Sequence, residues 1–176
     1  MKKRKILVMI GSDSDLKQCK EGFNLLRQAF AVGQIEDVEV VTASIHRNTN
    51  YVLEKLTKVS EAEEVDVIIT GAGWANHLTG VADAYLRYKI KDIRIPVVGV
   101  AFEDENNFSH TTAASLSISE VPGTQVIFRA SEEDDQFVGP AGFWQACRFA
   151  IDGDLPEIKQ PKPREVKNRM LSEMEI

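Results

Sequence analysis

The chain reads as an α/β protein, a three-layer sandwich around a mainly parallel five-stranded sheet, and three features of the sequence point there. Runs rich in Val and Ile at 6–10, 38–43, 65–70, 95–102 and 124–128 are mostly unbroken by polar residues, the pattern of strands covered on both faces. Between them, apolar residues recur at alternating spacings of three and four, the repeat of amphipathic helices. Three of the runs end in small polar loops: Gly11-Ser12-Asp13-Ser14-Asp15, Ser44-Ile45-His46-Arg47-Asn48-Thr49 and Gly71-Ala72-Gly73-Trp74-Ala75-Asn76-His77-Leu78-Thr79-Gly80. In open parallel sheets the ligand crevice lies beyond the carboxyl ends of the strands, so these loops can converge on one small molecule.

Taken in order, the strand ending at Ile10 is followed by Leu16, Cys19, Phe23, Leu26 and Phe30, which mark a helix beginning near Ser14 or Asp15 with Lys17, Lys20, Glu21 and Arg27 on its polar face. A second helix is predicted from Thr49 as N-cap, burying Val52, Leu53, Leu56 and Val59. A third starts near Asn76 and buries Leu78, Val81, Tyr85 and Leu86. Repeated strand-helix units require right-handed crossovers, and the flavodoxin-like strand order is the expected arrangement. Glu103 to Gly123 interrupts the rhythm with an acidic, Asn-rich turn, small residues from Thr111 to Ile118 and Val121-Pro122-Gly123, and reads as a substrate-side loop. Gly139-Pro140 then opens a helix with Phe143, Trp144, Cys147 and Ala150 or Ile151 on one face, Pro being suited to a first helical turn.

Residues 1–151 are thus expected to form a single α/β catalytic domain. From 152 to 163 three prolines mark an extended linker, and Val166, Met170, Leu171 and Met174 lie on one stripe of a short C-terminal helix. A helix this short is marginal alone. Packing of residues 152–176 on a neighbouring subunit is one expectation, a solvated tail the other.

At 176 residues the chain suits one domain, which buries roughly 70% of the surface that its unfolded form exposes. With 27 acidic against 21 basic residues, it has no general attraction for nucleic acid or an anionic membrane, so an anionic ligand must be held by local geometry. The apolar run after Lys2-Lys3-Arg4-Lys5 is too short for a signal-peptide core or a membrane span, and the expected location is cytoplasmic. Cys19 and Cys147 lack a C-x-x-C partner and are expected as buried thiols, in neither a metal site nor a disulfide.

Gly11, Ser12 and Ser14 between a strand and a helix offer backbone N–H groups and hydroxyls to a phosphate at a helix N-terminus. The spacing is neither G-x-G-x-x-G nor the Walker pattern, and simple helix capping by Ser or Asp is the competing reading. Arg47 could fork onto the same phosphate, while His46 faces the crevice with an imidazole suited to proton transfer near neutral pH. Gly71-Ala72-Gly73 lets a ligand approach the backbone, so a flat heterocycle could sit against it. His77 could face the ligand or cap the helix, and Trp74 could be a core aromatic. His110, in the acidic stretch, is a weaker candidate.

Together, G-S-D-S-D, S-I-H-R-N-T and G-A-G-W-A-N-H-L-T-G, in this order and spacing, resemble the signature of the PurE family of purine biosynthesis, over about Lys5 to Ile151. The resemblance implies a flavodoxin-like subunit in a homo-oligomer, octamer or tetramer, with no metal or organic cofactor. The implied substrates are a small ribonucleotide and carbon dioxide. Carried over by position, Ser12, Asp15, Ser44 and Arg47 hold the ribose phosphate and His46 is the general acid/base. Gly11, Asp13 and Ser14 complete the first loop. Gly73 and the loop through Trp74, Ala75, Asn76 and Leu78 match the wall around the aminoimidazole and the transferred carbon dioxide, with His77 as a second catalytic histidine, and Gly71 and Ala72 before them are expected to contact the substrate.

The implied reaction converts N5-carboxyaminoimidazole ribonucleotide to 4-carboxy-5-aminoimidazole ribonucleotide. Carbon dioxide leaves the exocyclic nitrogen, stays trapped, and adds to C4 before a proton departs. Ile45, Trp74, Asn76, Thr79 and Ser119-Glu120-Val121-Pro122 depart from the usual family residues. Ala75-Asn76 with Thr79-Gly80 resembles the branch that carboxylates aminoimidazole ribonucleotide directly, whereas His77 and Arg47 resemble the mutase branch. A non-catalytic nucleotide-binding paralogue is a further alternative, and a flavodoxin-type electron carrier fits the fold but not the histidine loops.

Overall fold

A computed structural model of the chain describes residues 3–174. Four strands, β1 (Lys5–Ile10), β2 (Asp37–Thr42), β3 (Val67–Ala72) and β4 (Val97–Ala101), pair in parallel in the order β2-β1-β3-β4. The flanking helices are α1 (Lys20–Ala31), α2 (Thr49–Glu61), α3 (His77–Ala84), α4 (Phe108–Ser119) and α5 (Gly139–Asp152). Side chains alternate across β1: Ile6, Val8 and Ile10 join the core beneath α1 and α5, while Leu7 and Met9 join the core beneath α2 and α3. This makes the sheet the middle of three layers.

The expected fifth strand is a single rung. Ile127 pairs with β4 through Gly99 N–H to Ile127 O (2.9 Å) and Ile127 N–H to Val97 O (2.9 Å). Before it, the N–H of Gln125 is taken by the Asp83 carboxylate (3.0 Å) and that of Val126 by the Thr124 hydroxyl (3.3 Å), so side chains consume the donors that a ladder needs. β2 is a sheet edge with most of its residues exposed or half-exposed, rather than covered on both faces.

The stretch expected as a substrate-side loop contains α4. Its small Ser- and Thr-rich sequence carries little amphipathic signal, but the hydroxyls of Thr112, Ser115 and Ser117 bond the carbonyls four residues back and so do not compete with the helix. The first helix begins as a 3-10 segment, Asp13–Cys19, that runs directly into α1, and Phe30 at its far end is exposed. Asn48 rather than Thr49 occupies the N-cap position of α2, without a side-chain cap bond: its Oδ1 serves Ser44, and the Thr49 hydroxyl turns back to the Ile45 carbonyl (2.5 Å). α3 continues as a π-helix, Tyr85–Ile90, and faces the core with Leu78, Ala82 and Leu86, leaving Val81 exposed.

The end of the chain also differs. Ile158 is buried, Gln125 exchanges two hydrogen bonds with the backbone of Lys159 (2.7 and 2.8 Å), and Gln160 donates to the Arg87 carbonyl (2.9 Å), so the linker docks on its own domain. The expected C-terminal helix is only a 3-10 turn, Leu171–Glu173. Val166, Met170 and Leu171 are exposed and give a helix nothing within this subunit to pack on. Cys19 and Cys147 are free and buried, and burial pushes the Cys19 thiol up to about 12, with Asp15 adding to it.

A buried ionic cluster joins α3 to its surroundings. Arg87 lies 3.1 Å from Asp83 and donates to the carbonyls of Asp92 (2.5 Å) and Ile95 (2.6 Å). Its Nε and Asp83 Oδ1 are close but not aligned as a hydrogen bond, so that contact is chiefly charge to charge.

Candidate active site

The three loops leave the carboxyl ends of β1, β2 and β3 and meet. Gly11 N–H donates to Gly71 O (2.8 Å), drawing the exits of β1 and β3 together, and a Cβ on Gly11 would stand 2.9 Å from that of Ala72. Only glycine permits this approach. Ser12 has extended backbone (φ −156°), and its hydroxyl accepts the N–H of Ser14 (3.4 Å) and lies 2.9 Å from the Ser14 hydroxyl. It therefore caps the helical run and also exposes hydroxyls at its start.

In the second loop, Asn48 N–H donates to Ser44 O (2.7 Å) while Asn48 Oδ1 accepts from Ser44 N–H (3.1 Å). This closes a turn that leaves the side chains of His46 and Arg47 exposed. Arg47 has no ion-pair partner among the described residues. In the third, His77 is the first residue of α3, and its Nδ1 lies 3.0 Å from Nε2 of His46, with ring centroids 5.0 Å apart and near edge-on. A proton on one of these nitrogens can bridge the two rings.

These loops enclose a cavity of about 480 Å³, within the size range of small-molecule sites. Gly11, Ser12, Ser14 and Asp15 line it from the first loop, Ser44, Ile45, His46 and Arg47 from the second, and Ala72, Gly73, Trp74, Ala75, His77 and Leu78 from the third. Three residues expected at the site do not line it. Asp13 points to solvent, and Gly71 is buried where a Cβ would meet the Phe102 ring at 2.7 Å. Asn76 is wholly buried: its Oδ1 accepts from the Thr79 N–H (3.1 Å) and hydroxyl (2.8 Å), and its Nδ2 donates to Val100 O (2.8 Å). Helix capping thus accounts for Asn76. Conversely, Ile45 lines the cavity and His110 reaches Trp74, contacts that lie between residues far apart in sequence and carry no local pattern.

Burial raises the Asp15 carboxyl above its ordinary value, while the Gly73 N–H that it accepts and the nearby Lys17 pull the other way. A carboxyl with a raised pKa costs stability at neutral pH; the cost is full above that raised value and fades as pH falls through it toward the ordinary value of about 3.9. Asp15→Asn is therefore expected to melt higher than the parent at pH 7, with the two converging near pH 4. Thermal melts across that range check this, and a variant that melts lower at pH 7 contradicts it. Among the described residues no group of three or more His, Cys, Asp or Glu is placed to hold a metal ion, and no helix is long and apolar enough to cross a membrane.

The strand order reverses direction between β1 and β3, and the cavity lies at that switch, as ligand sites in open α/β sheets do. Fold and site together define a flavodoxin-like α/β protein with a small-molecule crevice. The chain belongs to the AIR carboxylase family, whose model matches residues 5–128. A Thermotoga maritima protein described as N5-carboxyaminoimidazole ribonucleotide mutase is 29% identical over 167 residues, covering 95% of this chain and 85% of that protein. A Pyrococcus abyssi protein with the same description is 37% identical over 101 residues, covering 57% of this chain and 51% of its own length. Two Treponema denticola crystal structures share the fold: a PurE2 variant (TM-score 0.57, 13% identity, 85% of this chain and 87% of that one) and PurE (TM-score 0.52, 14% identity, 84% and 86%).

Proposed function

We propose that the protein is an enzyme of purine biosynthesis that converts N5-carboxyaminoimidazole ribonucleotide to 4-carboxy-5-aminoimidazole ribonucleotide. The observation that carries this reading is the contact of His46 with His77 at 3.0 Å on a cavity that Ser12, Ser44 and Arg47 also line. The hydroxyls and the Arg47 guanidinium are suited to a phosphate, and the acceptor oxygens of Asp15 to ribose hydroxyls. Carbon dioxide released from the exocyclic nitrogen is held beside C4 by the cavity walls, so confinement replaces a second encounter. One proton reaches the exocyclic nitrogen as its bond to the carboxyl carbon breaks and one leaves C4 after addition, so none is gained or lost overall: His46 gives the first as acid and takes the second as base, while His77, one hydrogen bond away, orients the imidazole.

The mutase reading is favoured over direct carboxylation of aminoimidazole ribonucleotide. Asn76 and Thr79, two of the residues that resemble the direct carboxylases, are buried and bonded to each other, whereas His77 and Arg47 face the cavity. The test is to supply purified protein with N5-carboxyaminoimidazole ribonucleotide and follow the 4-carboxy product. Turnover independent of added bicarbonate is expected. Product only from aminoimidazole ribonucleotide with bicarbonate would instead assign direct carboxylation, and turnover of neither would leave a binding paralogue.

The functional unit in this reading is a homo-oligomer, and the segment after Gln160 packs on a neighbouring subunit. What supports this is the exposure of Val166 (84%), Met170 (71%) and Leu171 (81%), apolar side chains without cover in their own subunit. A chain ending at Gln160 is expected to sediment at lower mass than the full chain or to melt lower. An unchanged assembly and melting temperature would refute the contact.

A further inference from the structure

Trp74 sits in a conformation that a Trp rarely adopts. Its φ of 60° is left-handed, which crowds a side chain against its own backbone, and its side chain is two-thirds exposed (66%). A core aromatic would be in neither state. One face of its indole is covered by the His110 imidazole, stacked at 4.2 Å between centroids with 22° between planes, yet the residue also lines the cavity that His46 and His77 share.

His110 is held at both ring nitrogens. Its Nδ1 lies 2.7 Å from the Asp104 carboxylate and its Nε2 3.1 Å from Nδ2 of Asn107. Asn107 Oδ1 accepts the Ser109 N–H as the cap of α4, which turns the amide nitrogen toward the imidazole. Nε2 is then the acceptor, and Nδ1 carries the proton given to Asp104. Asp104 is tied in turn to α4 by its N–H to the Thr111 hydroxyl (2.9 Å), and the His110 bond holds its carboxyl below the usual range. An imidazole clamped at both nitrogens cannot swing away from the ring stacked on it.

We infer that Trp74 is the stacking plate for the planar ring of the substrate and that His110, clamped by Asp104 and Asn107, is the positioning residue that holds the plate. This rests on the reading of the cavity as an aminoimidazole ribonucleotide site and adds what recognises the base. Phosphate contacts treat every ribose phosphate alike. A flat aromatic surface distinguishes a ribonucleotide from a bare sugar phosphate.

The chain has two tryptophans, so Trp144→Phe leaves Trp74 as the only indole reporter. In that background, 4-carboxy-5-aminoimidazole ribonucleotide is expected to quench the fluorescence and ribose 5-phosphate to leave it unchanged. His110→Ala is expected to weaken ribonucleotide binding roughly 5- to 100-fold, the range of losing one base stack, with affinity for ribose 5-phosphate preserved. His110→Phe, which keeps a ring behind Trp74, should recover most of that loss.

Unchanged ribonucleotide affinity in His110→Ala, or equal weakening of both ligands, would overturn the inference, the latter marking a merely structural role. Should His110→Ala fail to fold, Trp74→Ala reads the same contrast. Its loss of ribonucleotide binding alone supports the plate, and unchanged ribonucleotide affinity, equal weakening of both ligands, or a change only in assembly, overturns it. A parent that converts N5-carboxyaminoimidazole ribonucleotide while these variants bind normally sinks this inference alone. A parent that neither binds nor converts it sinks the functional reading as well.

Discussion

His46→Asn is expected to lower turnover about 100- to 10,000-fold, the range lost with a positioned general base. Asn keeps polarity and approximate size but cannot accept the C4 proton, so its effect should fall on kcat more than on KM. The melting temperature should stay close to that of the parent. His46 is exposed, and its turn is held by the backbone and side-chain bonds between Ser44 and Asn48, none of which uses the imidazole. Steady-state kinetics with a thermal melt check both halves. Activity within a few-fold of the parent would remove His46 from proton transfer.

The largest effect on stability is expected at Arg87→Ala. The side chain is 1% exposed, and Asp83 beside it is 4% exposed. Burial lowers the Arg87 pKa, while Asp83 and Asp92 act in the opposite direction. Removing the guanidinium leaves the Asp83 carboxylate buried without its counter-charge and the carbonyls of Asp92 and Ile95 without their donors.

Breaking a buried pair in this way costs about 3–5 kcal/mol. For a domain of this size that lowers the melting temperature by roughly 6–20 °C. A double variant, Asp83→Leu with Arg87→Met, removes both charges and is expected to melt well above Arg87→Ala, although Gln125 then loses its carboxylate acceptor. Differential scanning calorimetry on the three proteins decides it; a small loss in the single variant would show that water reaches Asp83.

The Asp83 carboxylate also shows why the fifth strand expected from the sequence shrinks to a single rung. Val126 and Ile127 carry the β-branched signature of a strand, but whether they join a ladder depends on who takes the N–H groups just before them. Asp83, some forty residues away, takes the N–H of Gln125, and the Thr124 hydroxyl takes that of Val126. α4 escaped sequence reasoning for the opposite reason: its hydroxyls satisfy its own carbonyls, so helix forms where periodicity is weak. The tail from Val166 to Met174 has helical spacing but only a 3-10 turn and no α-helix, because spacing marks a face but cannot supply the surface that the face must bury.

At the site, the loops were legible because strand ends and small polar residues are local features, and glycines such as Gly11 announce close approach. Asn76 illustrates the limit. In sequence it stands among cavity residues, yet its amide is spent on Thr79 and Val100, as is visible only once α3 and β4 are packed together.

By itself the sequence determined the parallel α/β class, the positions of the first four strands and the three loops that carry the chemistry, since apolar periodicity and turn residues act over a few neighbours. Only the tertiary structure decided that His46 and His77 touch, that Asn76 caps rather than lines, that a fifth strand is a single rung, and that His110 stands behind Trp74. These depend on which distant atoms are left over to meet once every buried donor and acceptor has found its partner.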